Sequence, residues 1–368
     1  MRRSLRFLPL VLLGALAACA DQTTPTAPDG LSLAAQGRGA KQLTVMSRNM
    51  YIGADVDPVL QALVGGGDVL GALQGALAQL QRTDFATRVG ALADEIARAR
   101  PQVVGLQEVY TLDIFPAFLG LPGGPINLDF LGALQASLAA RGLTYVVAAQ
   151  SILTDASLAG GAVHLVDHDV LLIDPTRVTP IGAAIENVFA WNLPLPPGSP
   201  IAVLRGYVAV PALVDGVPML LVNSHLESGG APGLDLLRAA QAAELAYVTA
   251  SAPAVILTGD LNDTPGSPMY GVLAGAELTD LWGAMRPGAA GWTCCHAADL
   301  SNALATFDQR IDYVWTKGLM GPSGGPLGQI GLTGLLPSAR LDGAFGSIWP
   351  SDHAGVVATV LLPTALTN

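Results

Sequence analysis

The sequence predicts one mixed domain, α/β or α+β. Strand-like and helix-like stretches alternate along its whole length, and no fixed-period repeat interrupts them. Past the first residues, no run reads as a transmembrane span. A chain of 368 residues, 51% hydrophobic and only 13% charged, can bury a sizeable core and is not a disordered polymer.

Taken in order, Leu43-Thr44-Val45-Met46 reads as the first strand. The stretch Val56 to Leu80 is apolar and glycine-rich, with a helix expected over 70–80. Phe85, Val89, Leu92 and Ile96 share one helical face, Thr83 or Asp84 can cap its start, and Arg100-Pro101 ends it. Val103-Val104-Gly105-Leu106 follows as a short buried strand. Further strands are expected over 145–148, 170–173, 203–210, 219–223, 255–257, 311–315 and 356–362, and a helix over 234–248. Residues 111–131, 186–200 and 317–349, rich in Gly, Pro and Leu, read as loop insertions.

The beginning of the chain speaks to location. Arg2, Arg3 and Arg6 precede an apolar run from Phe7 to Leu16, too short for a permanent span, so residues 1–18 read as a signal peptide. Leu16-Ala17-Ala18-Cys19 is similar to a bacterial lipoprotein box, and an ordinary signal peptide is the bland alternative. Residues 19–40, rich in Thr, Pro, Ala and Gly, read as a flexible tether. The expectation is an exported protein held at a membrane through a lipidated Cys19, or a secreted one. Cys294 and Cys295 are adjacent. Outside the cytoplasm they suit a vicinal disulfide or two free thiols, and His296 alone does not complete a tetrahedral zinc site.

Apolar strands repeatedly end in the same kind of group. Met46 leads to Ser47-Arg48-Asn49, Leu106 to Gln107-Glu108, Val222 to Asn223-Ser224-His225, and Leu257 to Thr258-Gly259-Asp260-Leu261-Asn262. Pro350-Ser351-Asp352-His353 precedes the last strand. Polar groups at buried strand ends are costly unless they converge on one site. Carboxylates and amides there suit a hard cation such as Mg²⁺, and the two imidazoles suit proton transfer near neutral pH. Singly, each has a bland reading. Asp260 and Asn262 could open a turn, His225 could be a satisfied core histidine, and Asp352 and His353 could cap a turn. Five such segments in one chain are hard to explain as five accidents.

The ordered set Arg48-Asn49, Gln107-Glu108, Ser224-His225-Leu226, Gly259-Asp260-Leu261-Asn262, Arg310-Ile311-Asp312-Tyr313 and Ser351-Asp352-His353 resembles the endonuclease/exonuclease/phosphatase family. The likeness runs from about Leu43 to Leu362 and implies a catalytic domain over 41–368. It implies a four-layered sandwich, with two mixed β-sheets face to face and helices outside. It implies a metal-dependent phosphoester hydrolase, most readily a nuclease-like or sphingomyelinase-like phosphodiesterase using a metal-activated water. By the resemblance, Glu108 is the main Mg²⁺ ligand (Mn²⁺ is the alternative), with Asn49 beside it and Asp352 near the metal or the nucleophile. Asp260 would orient or deprotonate the attacking water, and Asn262 and His353 would contact the phosphoryl group. Asp312 would hold His353, and His225 would protonate the leaving oxygen or stabilise its charge.

Ser-His-Leu is the form of the deoxyribonuclease I-like, sphingomyelinase-like and inositol-phosphatase branches, and it disfavours the apurinic endonucleases. The long apolar stretch from Tyr51 to Leu80 departs from the family's core pattern. Arg205 is a candidate to face the phosphate, and Tyr207 reads as core. His164, His168 and Asp169 read as hairpin residues before a strand, with Asp169 a candidate partner for His225.

A net charge of -11 does not draw nucleic acid by its overall field, which counts against a nuclease unless a bound cation reverses the sign locally. Loops such as Phe115 to Leu121 and Leu332 to Leu336 suit a lipid surface or simply cover the core. The phosphoester class (nucleic acid, phospholipid, or a small or inositol monoester) stays open, as does a non-catalytic binding lipoprotein. No protein partner is implied.

Overall fold

The computed structural model describes residues 41–197, 199, 201–319, 326 and 328–362. The expected signal peptide, tether and Cys19 lie outside them. Along the chain run β1 (Gln42–Asn49), α1 (Asp57–Gly65), α2 (Val69–Thr83), α3 (Phe85–Ala99), β2 (Val103–Ile114), β3 (Ile126–Asp129), α4 (Phe130–Ala139), β4 (Val146–Leu158) and β5 (Val163–Ile173). Then come β6 (Val178–Pro180), β7 (Ile185–Val188), β8 (Gly206–Val214), β9 (Val217–His225), α5 (Leu234–Thr249), β10 (Val255–Asp260), α6 (Pro268–Gly275), β11 (Thr279–Asp280) and α7 (Leu281–Met285). The last are β12 (Asp312–Lys317), β13 (Gly328–Thr333), β14 (Leu341–Gly343), β15 (Gly346–Ile348) and β16 (Gly355–Leu361).

Two seven-stranded sheets result. The first has the order β13-β16-β1-β2-β5-β4, with β3 on β2; the second has the order β11-β12-β10-β9-β8-β6, with β7 on β8. Each sheet is antiparallel except for one central parallel pair, β1 with β2 and β9 with β10.

Side-chain alternation then builds the layers. Leu43 and Val45 of β1 meet Leu221 of β9 and Ile256 of β10 in a core between the sheets. The opposite face of the first sheet, with Met46, Val104 and Leu106, packs on Phe85, Leu92 and Ile96 of α3 and Phe130 of α4. The opposite face of the second, with Val222, Leu257 and Trp315, packs on Ala242 and Leu245 of α5 and on Met269 and Leu273 of α6. The order is helix, sheet, sheet, helix, the four-layered α+β sandwich that the resemblance implies.

The stretches read as insertions are partly regular. β2 runs on through Ile114 and pairs with β3 inside 111–131, β7 occupies the start of 186–200, and β13 and the β14–β15 hairpin lie inside 317–349. Their Gly, Pro and Leu content hides strands that the sheet edge makes regular. Helices α1, α4, α6 and α7 were not expected; α4 and α6 are apolar nearly all round, which blurs the periodicity, although Asp129 and Ser267 cap them. His164, His168 and Asp169 lie within β5 itself, not in a turn before it.

Polar groups also cross the inter-sheet layer. Asn223 of β9 is fully buried, and its Oδ1 accepts from Gln107 Nε2 (2.7 Å) and Thr258 Oγ1 (3.0 Å). Its Nδ2 donates to the carbonyls of Leu106 (2.8 Å) and Val170 (3.2 Å). The amide thereby fills all four of its bonding positions, two of them on the backbone of the opposite sheet. Gly105 makes room for it, since a Cβ there would sit 2.0 Å from Thr258 Oγ1 and 2.4 Å from Asn223 Oδ1.

Asn223→Ala removes four hydrogen bonds from the buried layer, leaving Gln107 and Thr258 only Ser47 Oγ (3.4 Å) and the carbonyl of Val222 (3.1 Å) as acceptors. It is expected to cost about 3 kcal/mol, at about 1–3 kcal/mol for each buried group left unsatisfied. Gly105→Ala is expected to cost about 1–3 kcal/mol by overpacking. Denaturant midpoints of the two variants check both; a wild-type midpoint in Asn223→Ala would refute the bridging role.

Candidate active site

The same alternation that directs Leu43, Val45, Leu221, Ile256 and Val314 between the sheets directs Asn49, His225, Asp260 and Asp312 the same way, at one open edge. The parallel strands β1, β9 and β10 all run toward that edge and end there. In register, Asp260 lies between His225 on one side and Asp312, the first residue of β12, on the other. The turn Ser351-Asp352-His353 enters the same edge ahead of β16, the antiparallel neighbour of β1.

Glu108 is on the wrong parity for this edge. A register shift between Leu106 and Val109 corrects it, and Glu108 there adopts φ 55°, in the left-handed region. Bulges are a usual means of re-aiming a side chain. Glu108 Oε1 accepts from Asn49 Nδ2 (2.9 Å), and its Oε2 accepts from the backbone N–H of Ile52 (2.9 Å). Asn262 has φ 52°, its backbone N–H donates to Asp260 Oδ1 (3.1 Å), and its Nδ2 donates to the carbonyl of Leu226 (2.9 Å).

Asp260 Oδ2 is the hub. It accepts from Asn49 Nδ2 at 3.1 Å and lies 3.7 Å from both His225 Nε2 and His353 Nδ1. His353 Nδ1 donates to Asp312 Oδ2 (2.8 Å), and His353 Nε2 lies 4.0 Å from Asp352 Oδ1. The expected catalytic and metal residues Asn49, Glu108, His225, Asp260, Asn262, Asp312, Asp352 and His353 are therefore gathered at this one edge.

The two histidines differ in charge. Burial alone would depress His353, but Asp312, Asp352 and Asp260 together raise its pKa well above the ordinary value, so it is an imidazolium. Burial, then the guanidinium of Arg205 and the charge of His353, hold His225 well below the ordinary value, so it is neutral. Arg205 Nη1 approaches the His225 ring to 3.0 Å, and its Nε is 3.6 Å from Glu227 Oε1. Asp169, the candidate partner, makes no ion pair with the His225 imidazole among the described residues; its carboxyl is buried beside the His225 backbone N–H, and burial and then Asp167 raise it well above its ordinary value. Tyr207 packs on Phe189 in the outer core, as read. Burial and then Asp312 raise Asp260 to about 7, and burial raises Asp352 to about 6.

Several buttresses were not legible in the sequence. Arg88 of α3 is fully buried and donates to the carbonyls of Thr83, Met50, Tyr51 and Pro350, clamping two site loops together. Arg48, ion-paired with Glu95 (3.0 Å), donates to the carbonyl of His353. Ser351 Oγ donates to the carbonyl of Asn49 (2.8 Å). Thr293 Oγ1 accepts from the backbone N–H groups of Ile311 and Asp312 (both 3.2 Å). Next to Thr293, Cys294 and Cys295 are joined by a disulfide. The expected alternatives missed their neighbour, because Cys295 Sγ lies 4.0 Å from His353 Nε2.

The donor set suits a hard divalent cation. Glu108 and Asp352 offer carboxylate oxygens, and the Oδ1 of Asn49, which accepts from Tyr51 N (2.8 Å), keeps a second lone pair. Asp260, Asp312 and His353 have ligand atoms within 4.8 Å of one another, and Asp312 Oδ1 is buried without a partner. This is a surplus of negative charge that a cation relieves.

The Endonuclease/Exonuclease/phosphatase family model matches residues 69–353. Among solved structures, an endonuclease/exonuclease/phosphatase family protein from Bacteroides thetaiotaomicron aligns with TM-score 0.55 at 16% identity, over 89% of this chain and 98% of that one. TDP2 of D. rerio complexed with a single-strand DNA product aligns with TM-score 0.50 at 15% identity, over 87% and 99%. A Bacteroides thetaiotaomicron mannosyl-6-phosphatase aligns with TM-score 0.51 at 16% identity, over 86% and 99%. A search of curated proteins finds no match. At these identities the structural likenesses show the fold.

A pH-dependent response to metal follows from the raised carboxyls. Asp260 takes its proton at about 7 in the folded chain against 3.8 ordinarily, and Asp352 at about 6. The metal-free fold therefore loses stability as pH rises between about 4 and 7, and His353 adds to the loss above its ordinary value. The buried neutral His225 acts oppositely, below its own ordinary value. A divalent cation binds the ionised carboxylates, so the gap in Tm between Mg²⁺ and EDTA is expected to widen from about pH 5 to about pH 8. A gap of constant size across that range would count against this set as the cation's ligands.

Proposed function

We propose, since the chain belongs to the endonuclease/exonuclease/phosphatase family, that it is a divalent-metal-dependent phosphodiesterase. The family's members are phosphoester hydrolases and use divalent metals. The observation that carries the reading is the convergence on Asp260 Oδ2 of Asn49 and of two histidines of opposite charge state. A Mg²⁺ or Mn²⁺ ion held by Glu108, with Asp352 and Asn49 beside it, would supply positive charge for the phosphoryl oxygens.

The chain's own residues do the rest. Asp260, whose proton exchange is tuned to about 7, accepts the proton of the attacking water, and Asn49 holds it in place. The Nε2–H of imidazolium His353, fixed through Nδ1 by Asp312, faces the phosphoryl oxygens, and Asn262 keeps one amide hydrogen for them after bonding Leu226. On the other side, neutral His225 backed by Arg205 fits charge stabilisation on the leaving oxygen better than proton donation. This flank would stabilise the alkoxide that leaves from either a diester or a monoester, and the substrates tested below separate the two. The proposal extends to export and attachment at a membrane through Cys19, which the sequence alone supports.

Glu108→Ala, His353→Ala and His225→Ala are each expected to lower turnover by about 10²-fold or more with an unchanged circular dichroism spectrum. The measurement is plasmid nicking with Mg²⁺ beside an EDTA control, followed by sphingomyelin and a phosphomonoester. Metal-dependent nicking identifies a nuclease, and cleavage of sphingomyelin alone a phospholipid diesterase. Cleavage of the monoester alone would overturn the diester reading, and near-wild-type rates in the variants would overturn the site.

A further inference from the structure

The adjacent cysteines lie at the mouth of this edge, stitched to its machinery. Thr293 and Cys294 both donate backbone N–H groups to the carbonyl of Gln309 (2.7 and 3.1 Å). Ala354 N donates to the Thr293 carbonyl and His296 N to the Asp352 carbonyl, both at 2.8 Å. Cys294 forms an isolated antiparallel bridge with His353. Cys294 is buried, Cys295 is exposed, and the ligand atoms of Cys294, Cys295 and His353 lie within 4.8 Å of one another.

We propose that, once reduced, Cys294 and Cys295 form with Nε2 of His353 a three-ligand site for a thiophilic divalent cation such as Zn²⁺ or Cd²⁺. Two thiolates and an imidazole are soft and borderline donors, unlike the oxygen set around Glu108, and they select these ions over Mg²⁺. The imidazole is already oriented for it. Its Nδ1–H is held by Asp312 at 2.8 Å, and its Nε2 faces Cys295 at 4.0 Å. A ligating histidine usually donates its other ring N–H to a carboxylate in this way. His296, the neighbour in sequence, is stacked on Trp349, and the fold brings His353 to the pair instead.

The chemistry balances. A dithiol reductant breaks the S–S bond, is itself oxidised to a disulfide, and leaves two thiols on the protein. Cation binding then forms two S–metal bonds and one N–metal bond, and releases the two thiol protons and any proton on Nε2. The oxidised pair has no thiolate to offer, so the site exists only in the reduced protein. Because Nε2 is the nitrogen that the preceding reading assigns to the phosphoryl oxygens, the soft cation and the substrate exclude each other. That last consequence rests on the hydrolase reading; the site itself does not.

The test is a Cd²⁺ titration of the whole protein, reduced with dithiothreitol and desalted without oxygen, with free thiols counted by labelling. One equivalent of Cd²⁺ is expected to give an ultraviolet thiolate-to-metal charge-transfer band, and the oxidised protein none. Cys295→Ser is expected to lose the band, and Asp312→Asn to weaken binding by about 10–100-fold. In the activity arm, Zn²⁺ inhibits Mg²⁺-supported hydrolysis by the reduced wild type only, and Cys295→Ser retains turnover while escaping inhibition. No band in protein whose two thiols are free would overturn the site, as would wild-type affinity in His353→Ala. A band in a protein silent on every phosphoester would support the site and sink the hydrolase reading.

Discussion

Asn223 lies between two sheets that otherwise meet mainly through aliphatic side chains, and its amide is bonded at every position it has. An apolar layer tolerates sliding, since one aliphatic contact replaces another at little cost. A buried amide does not, because any other register leaves several strong groups unpaired. The bridge therefore sets how the sheets lie on each other. It does so one residue from Ser224-His225 and beside Gln107-Glu108, so that fixing the register also fixes the separation of the groups at the open edge. Gly105 keeps the approach close enough for the amide to reach.

The charges at that edge are arranged against the usual preference of a protein interior. Asp260 and Asp312 face each other across neighbouring strands, with Glu108 and Asp352 in reach. Of the described residues, only His353 lies among them as a cation. Arg205 is kept on the far side of His225, engaged with Glu227, and Arg88 and Arg48 are occupied with backbone carbonyls behind the loops. Withholding these guanidinium groups leaves the carboxylates under-neutralised, which favours an incoming cation and, with it, an anionic substrate. A cation bound at this edge would reverse the chain's overall negative charge locally.

Much of this was legible beforehand, and for a physical reason. Strand ends rich in Asn, Glu, His and Asp announce themselves because such residues are costly in apolar surroundings, and counting parity along β1, β9, β10 and β12 aligns them to one face. Glu108 is where that count fails; nothing in Leu106-Gln107-Glu108-Val109 signals a bulge. Arg88 and Thr293 were invisible because their roles consist of bonds to backbone atoms far away in sequence. The short strands β3, β13, β14 and β15 were read as loops because Gly and Pro obscure them and only pairing makes them regular. His164, His168 and Asp169 looked like a turn because polar residues interrupt β5, whose apolar stretch begins only at Val170.

The first and last strands of the sandwich lie side by side, with Gln42 opposite Leu361 and Leu362 bonded to Lys41. β1 carries the chain from that corner to Asn49 at the catalytic edge, a run of eight residues or roughly 26 Å at the usual rise per residue. Both ends of the described chain thus leave from the pole opposite the reactive groups. A segment joined at Lys41 or Leu362 would start at the pole away from the cleft and leave the reactive edge clear of the join.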